Sequence, residues 1–220
     1  MTRLTEIHTQ LSGKSRGRKH GVEVLNKSAI VLLVACWESF IEGLATNAFD
    51  ALFEQASGPQ VFPNKVLVAS SLALKQNAND MEIWKLAGDG WRSILSSHRE
   101  DVLERHVGKL NSPKPEQITS LFENLLGLKN VTQCWSYQRM SPKVAEKKLI
   151  ELVVLRGDIA HKVTTSTYVQ KATVMFYIDF IGRLAGRMSS RVGLFIEERT
   201  HHIPWEVNIT YEPDSPSAGS

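Results

Sequence analysis

From residue 22 to about residue 56, apolar side chains return at every third or fourth position: Leu25, Ala29, Leu32, Leu33, Cys36, Phe40, Ile41, Leu44, Ala48 and Leu52. That spacing keeps one face of a helix continuously apolar, so it predicts a single long helix, which Gly58-Pro59 ends. A second run over residues 65–75 reads as a helix capped by Asn64, and shorter helices are expected over 82–87 and 91–107, separated by Gly88 and Gly90. Pro113 and Pro115 mark a turn. Pro115 suits the first position of a helix, and Gly127 suits the residue just past its end. Ser141-Pro142 repeats the start signal, and Ala145, Leu149, Leu152 and Val153 carry the apolar stripe toward Ile159. The β-branched run after His161 propagates a helix poorly, so the helix should stop there. Ser166 or Thr167 then caps a last long helix over 168–190. Near the C-terminus Trp205, Val207, Ile209 and Tyr211 alternate with polar residues, which predicts one short strand.

The chain is therefore expected to be all-α, a helical bundle with long antiparallel helices. A basic segment over 1–21 precedes a domain over 22–211, and a Pro/Ser/Gly-rich tail over 212–220 is expected to be disordered. Composition narrows this only a little. The chain has 220 residues, 42% of them hydrophobic, with 26 Lys plus Arg against 23 Asp plus Glu. These values exclude a disordered, collagen-like or disulfide-framework protein. Cys36 and Cys134 form no metal-ligand spacing and suit a reducing compartment. The apolar run from Ala29 to Trp37 is broken by Glu38, short of the roughly 20 residues of a membrane span. No apolar leader occurs in the first ten residues, so a soluble cytoplasmic protein is expected. Charge is uneven: Arg3, Lys14, Arg16, Arg18, Lys19 and Lys27 face only Glu6 and Glu23 over the first 28 residues. Such a cluster attracts phosphate backbones, although a solvated terminal segment is the commoner meaning.

The common nucleotide, zinc-protease and hydrolase motifs are absent. His201-His202 has no neighbouring ligands at metal spacing and reads as surface. What remains is Leu155-Arg-Gly-Asp-Ile-Ala-His161, an Arg and a His five positions apart within a strongly apolar segment. Arg3 and His8 share that spacing, so context must distinguish the two. Arg156, Asp158 and His161 lie on a helix that reads as core-facing, where charge is rarely placed unless paired or functional. His161 falls in the last turn, where the helix dipole and Asp158 both favour imidazolium. Two readings stay open on these residues alone. One is a histidine tuned for proton transfer, and the other is a structural ion pair of Arg156 with Asp158 or Glu38.

The Arg-Gly-Asp-Ile-Ala-His segment resembles the Arg-x4-6-His motif of the HEPN superfamily. The stretch from Ala29 to Glu42 (AIVLLVACWESFIE) and that from Asn111 to Phe122, with Leu126-Gly127, are similar to its RiboL-PSP branch. The resemblance implies an all-α, homodimeric endoribonuclease of prokaryotic toxin or antiphage systems, needing neither metal nor cofactor, with an antitoxin or regulatory partner. Arg156 and His161 become the catalytic pair. The polar residue that often follows the Arg is here Gly157, which passes the auxiliary role to Asp158, with Glu38 as a supporting polar residue. Some relatives carry a Tyr, modified by the antitoxin, two residues after the His. Val163 stands there in this chain.

The chemistry fits those residue types. RNA carries its own nucleophile in the 2′-OH, so His161 can move protons while Arg156 stabilises charge on the phosphate. One histidine cannot readily act as base and acid together, and a two-fold dimer supplies a second. Five residues at about 100° each set Arg156 and His161 about 140° apart, so helix distortion or a partner subunit must close the site. Arg183, Arg187 and Arg191 recur every fourth residue and, with Lys162, are candidates to bind RNA. A non-catalytic helical module that binds RNA, a nucleotide or a partner protein is the other function class.

Overall fold

A computed structural model describes residues 23–75, 79, 81, 85–108, 110–137, 140–161 and 168–206. Among these residues there are seven α-helices and no strand: α1 (Glu23–Gln55), α2 (Asn64–Lys75), α3 (Gly90–Ser97), α4 (Arg99–His106), α5 (Pro115–Leu126), α6 (Pro142–His161) and α7 (Lys171–Thr200). The all-α expectation holds.

The frame is a bundle of α1, α6 and α7, with α5 against one side. Asn26 Nδ2 donates to the Val169 carbonyl at 2.8 Å at one end, and Thr200 Oγ1 donates to Gln55 Oε1 at 3.1 Å at the other. The two longest helices therefore run parallel. α6 runs against both: Tyr137, just before it, lies under Arg183 and Arg187, whereas Lys148 and Glu151 act electrostatically on Tyr177. This brings the C-terminal end of α6 and the N-terminal ends of α1 and α7 to one end of the molecule.

Trp37 and Trp135, with ring centroids 6.2 Å apart, sit at the centre of the core among Ile41, Phe122 and Leu149, all fully buried. Burial of large side chains at roughly 25 cal/mol per Å² of apolar area is the main driving force. α1 is long and apolar enough to cross a membrane, with a mean hydropathy of 1.6 in its most apolar window. Its buried residues, from Ala29 and Ile30 through Leu52, face the neighbouring helices, whereas Val24, Leu32 and Cys36 are exposed, so Leu32 and Cys36 do not belong to the expected apolar face. At its C-terminal end the Arg92 guanidinium donates to the Phe53 carbonyl at 2.8 Å and to that of Ala56, satisfying acceptors that a helix end leaves open.

Local signals placed several ends well. Pro115 begins α5, and Gly127, at φ 79°, ends it in the left-handed conformation that glycine tolerates. Pro142 begins α6, and His161 is its last residue. Other expectations need correction. Asn64 is the first residue of α2, and the carbonyl that precedes it belongs to Pro63, which accepts from Val66 and Leu67. The run over 91–107 is not one helix. His98 leaves helical geometry, its ring reaches Asp101 at 3.2 Å, and Arg99 forks onto Asp50 of α1 at 2.7 and 2.5 Å. The last helix is capped at Gln170 and runs past residue 190 to Thr200, because Val192, Phe195 and Ile196 continue the buried stripe. Ser166, Thr167, the basic N-terminal segment and the tail over 212–220 lie outside the described residues. So does the expected strand from Val207 onward. Trp205 is described and belongs to no strand, and its indole N–H donates to the Ser189 carbonyl at 3.3 Å.

Candidate functional site

α6 presents two faces at its C-terminal end. Ala145, Leu149 and Leu152 are fully buried, and Arg156 continues that row at the same helical spacing, half-buried where the bundle thins. A second row, Ile150, Val154 and Gly157, points outward, with Ile150 and Val154 exposed. The backbone register carries this second row on to position 161. α6 is an unbroken α-helix to His161, so no distortion reduces the angle between the two positions. Their Cα atoms are separated by about 140° around the axis and about 7.5 Å along it.

Neither ion pair of the structural reading, Arg156 with Asp158 or with Glu38, is present among the described residues. The Arg156 side chain makes no hydrogen bond or ion pair among them. Asp158 is two positions away, on a different side of the helix, where neighbours do not face each other. Glu38 sits midway along α1 and is engaged elsewhere: its Oε2 accepts from the Ser112 backbone N–H at 2.7 Å. It thereby holds Ser112, at φ 47°, in the turn before α5. Burial, and Glu38 one turn away, raise the Glu42 carboxyl above the usual carboxylate range. Glu38 thus anchors the turn before α5, and it makes no hydrogen bond or ion pair with Arg156.

The basic row on α7 is real, but it lies away from Arg156. Antiparallel packing puts Arg183 roughly 15 Å further along the bundle than the level of Arg156, at 1.5 Å per residue. Arg183 pairs with Asp179 at 2.8 Å and Arg191 with Glu198 at 3.5 Å. The guanidinium carbons of Arg183 and Arg187 each lie 5.5 Å from the centroid of the Tyr137 ring. Tyr137 went unremarked in the sequence because nothing periodic marks it. Its one local signal is an aromatic residue three positions before the helix start signal Met140-Ser141-Pro142. Lys162 lies outside the described residues.

No group of three or more His, Cys, Asp or Glu side chains converges at metal-binding distance among the described residues. Cys134 is no candidate nucleophile, because burial pushes its thiol up to about 12. Cys36 is exposed on α1.

A family model described as RiboL-PSP-HEPN matches residues 2–192. No curated protein and no solved structure matches the chain.

Proposed function

Because the chain belongs to the RiboL-PSP-HEPN family, whose HEPN domains are often ribonucleases, we propose that it is a metal-independent endoribonuclease of toxin or antiphage type. One observation carries this reading. Arg156 is half-buried as a residue, with no hydrogen bond or ion pair among the described residues, at the end of an apolar row. A partly desolvated charge gains from an anionic partner, and a substrate phosphate would supply one.

In this mechanism the 2′-oxygen attacks the adjacent phosphorus as His161 takes its proton. The bond from phosphorus to the 5′-oxygen breaks, and that oxygen receives a proton from a second acid. The products are a 2′,3′-cyclic phosphate and a 5′-hydroxyl. Arg156 stabilises the charge that builds on the non-bridging oxygens. Asp158 has the auxiliary role of favouring the charged imidazole.

The second acid comes from a second copy of the chain. With α6 undistorted, Arg156 and His161 of one copy diverge, and a two-fold axis near the outward row sets each against the other's partner. Ile150 and Val154 on α6, with Met175 and Phe176 on α7, offer exposed apolar surface at this end of the bundle. A toxin of this kind also requires a restraining partner, an antitoxin.

Cleavage is expected to persist in EDTA, measured as loss of full-length RNA, because nucleophile, proton carrier and charge stabiliser are all present without a divalent ion. Abolition by EDTA and recovery with added Mg²⁺ would refute the mechanism.

A further inference from the structure

We propose that α7 carries a second RNA contact, distinct from the scissile site, in which Arg183 and Arg187 hold backbone phosphates and Tyr137 positions both guanidinium groups. This rests on the ribonuclease reading for its ligand. Three observations support it.

The first is geometric. Arg183, Arg187 and Arg191 stand four residues apart, a repeat of about 6 Å along the axis that is comparable to the spacing of successive phosphates along a strand. Tyr137 holds the first two from below, with its ring 5.5 Å from each guanidinium carbon, which fixes side chains that would otherwise lose rotamer freedom on binding. Burial, the largest influence, raises the Tyr137 phenol above its ordinary range, so its hydroxyl stays protonated and can donate to a phosphate oxygen.

The second is access. Gly182 and Gly186 flank these arginines on the solvent side, and beyond the helix's own adjacent backbone no described atom lies within 4 Å of where a Cβ would stand on either. Glycine weakens a helix interior relative to alanine, and none of the described residues uses the space it leaves. A strand can therefore lie close against α7 beside the guanidinium groups.

The third is the state of the charges. The pairs of Arg183 with Asp179 and of Arg191 with Glu198 are exposed or partly exposed, and such pairs are weak enough for a phosphate to displace. At roughly 15 Å from the level of Arg156, at 1.5 Å per helical residue, the row meets the strand beyond the cleaved bond. The contact should therefore act on binding more than on the chemical step.

The test uses the full chain and a labelled single-stranded RNA. Affinity is followed by anisotropy across salt concentrations, and cleavage is followed as separate kcat and KM values. Replacing Arg183, an exposed residue, by Gln should reduce the salt slope by about 0.7, the contribution of one phosphate on a single strand. Arg183→Gln with Arg187→Gln should reduce it by about 1.4 and raise KM at least tenfold, with the loss falling mainly on KM. Tyr137→Leu should reproduce much of that loss, and Tyr137→Phe, which keeps the ring, should restore most of it.

An unchanged slope and KM in the double variant, in a chain that still cleaves RNA, would overturn the second contact and leave the ribonuclease reading standing. A chain that binds RNA with the expected slope changes but never cleaves it would support the contact and sink the ribonuclease reading. Equal competition by polyglutamate at matched charge would overturn the assignment to RNA.

Discussion

His161→Ala should lower the rate of RNA cleavage by about 10²- to 10⁴-fold, the usual contribution of one positioned acid or base, while leaving helical circular dichroism and the urea midpoint close to those of the parent chain. The expectation of a folded variant follows from place. His161 is the last residue of α6, past the buried row of Ala145, Leu149 and Leu152 that ties the helix to the core. Losses of several kcal/mol come from cavities, unpaired buried charge or broken networks, and the last residue of a helix is not part of the buried row that holds this one to the core. Arg156→Ala should be comparably damaging to the reaction. It removes a guanidinium that has no described intramolecular partner, so it breaks no ion pair. Full activity in the His161 variant would remove the proton carrier from the mechanism. An unfolded His161 variant would make the residue structural.

Mixing inactive subunits should restore activity. If each site takes Arg156 from one copy and His161 from the other, a heterodimer of Arg156→Ala with His161→Ala subunits holds one intact pair and one doubly defective pair. Random exchange makes about half of the dimers mixed, so recovery has a ceiling of about one quarter of parental activity and falls below it, because each mixed dimer keeps one His161 where the mechanism uses two. The two single variants alone should remain inactive. No recovery despite demonstrated subunit exchange would put both residues to work within one chain, and a fully active monomer would remove the shared site altogether. The geometry favours recovery, because an unbroken α6 keeps the two positions about 140° apart.

Much of the fold was legible because its ends are written in residues with local consequences. Pro115, Gly127 and Pro142 act on their own backbone, and each marks the end it was expected to mark. The break at His98 carries no glycine or proline. It depends on Arg99 reaching Asp50 on a different helix, which no local pattern reports. The extension of α7 was hidden by Ser189-Ser190-Arg191, a polar interruption whose middle residue is nonetheless buried among apolar neighbours.

The candidate site was legible in part for the same reason. Helical periodicity assigns Arg156 to the row of Leu149 and Leu152, and that row is buried in the structure. The fate of Glu38 was not legible, because Ser112, to which it is tied, lies in a turn far along the chain. Tyr137 escaped notice likewise: its value comes from Arg183 and Arg187, which only the antiparallel return of the chain brings above it.

The central claim is a cleavage in which RNA supplies its own nucleophile, and the chemical form of the new ends tests it most directly. A synthetic RNA, cut by the purified chain in the presence of EDTA, can be read by mass spectrometry. The account requires 2′,3′-cyclic phosphate on the upstream fragment and a 5′-hydroxyl on the downstream one, and no cut at a site whose 2′-hydroxyl is replaced by hydrogen. A 3′-hydroxyl with a 5′-phosphate, or undiminished cutting at the 2′-deoxy position, would contradict it.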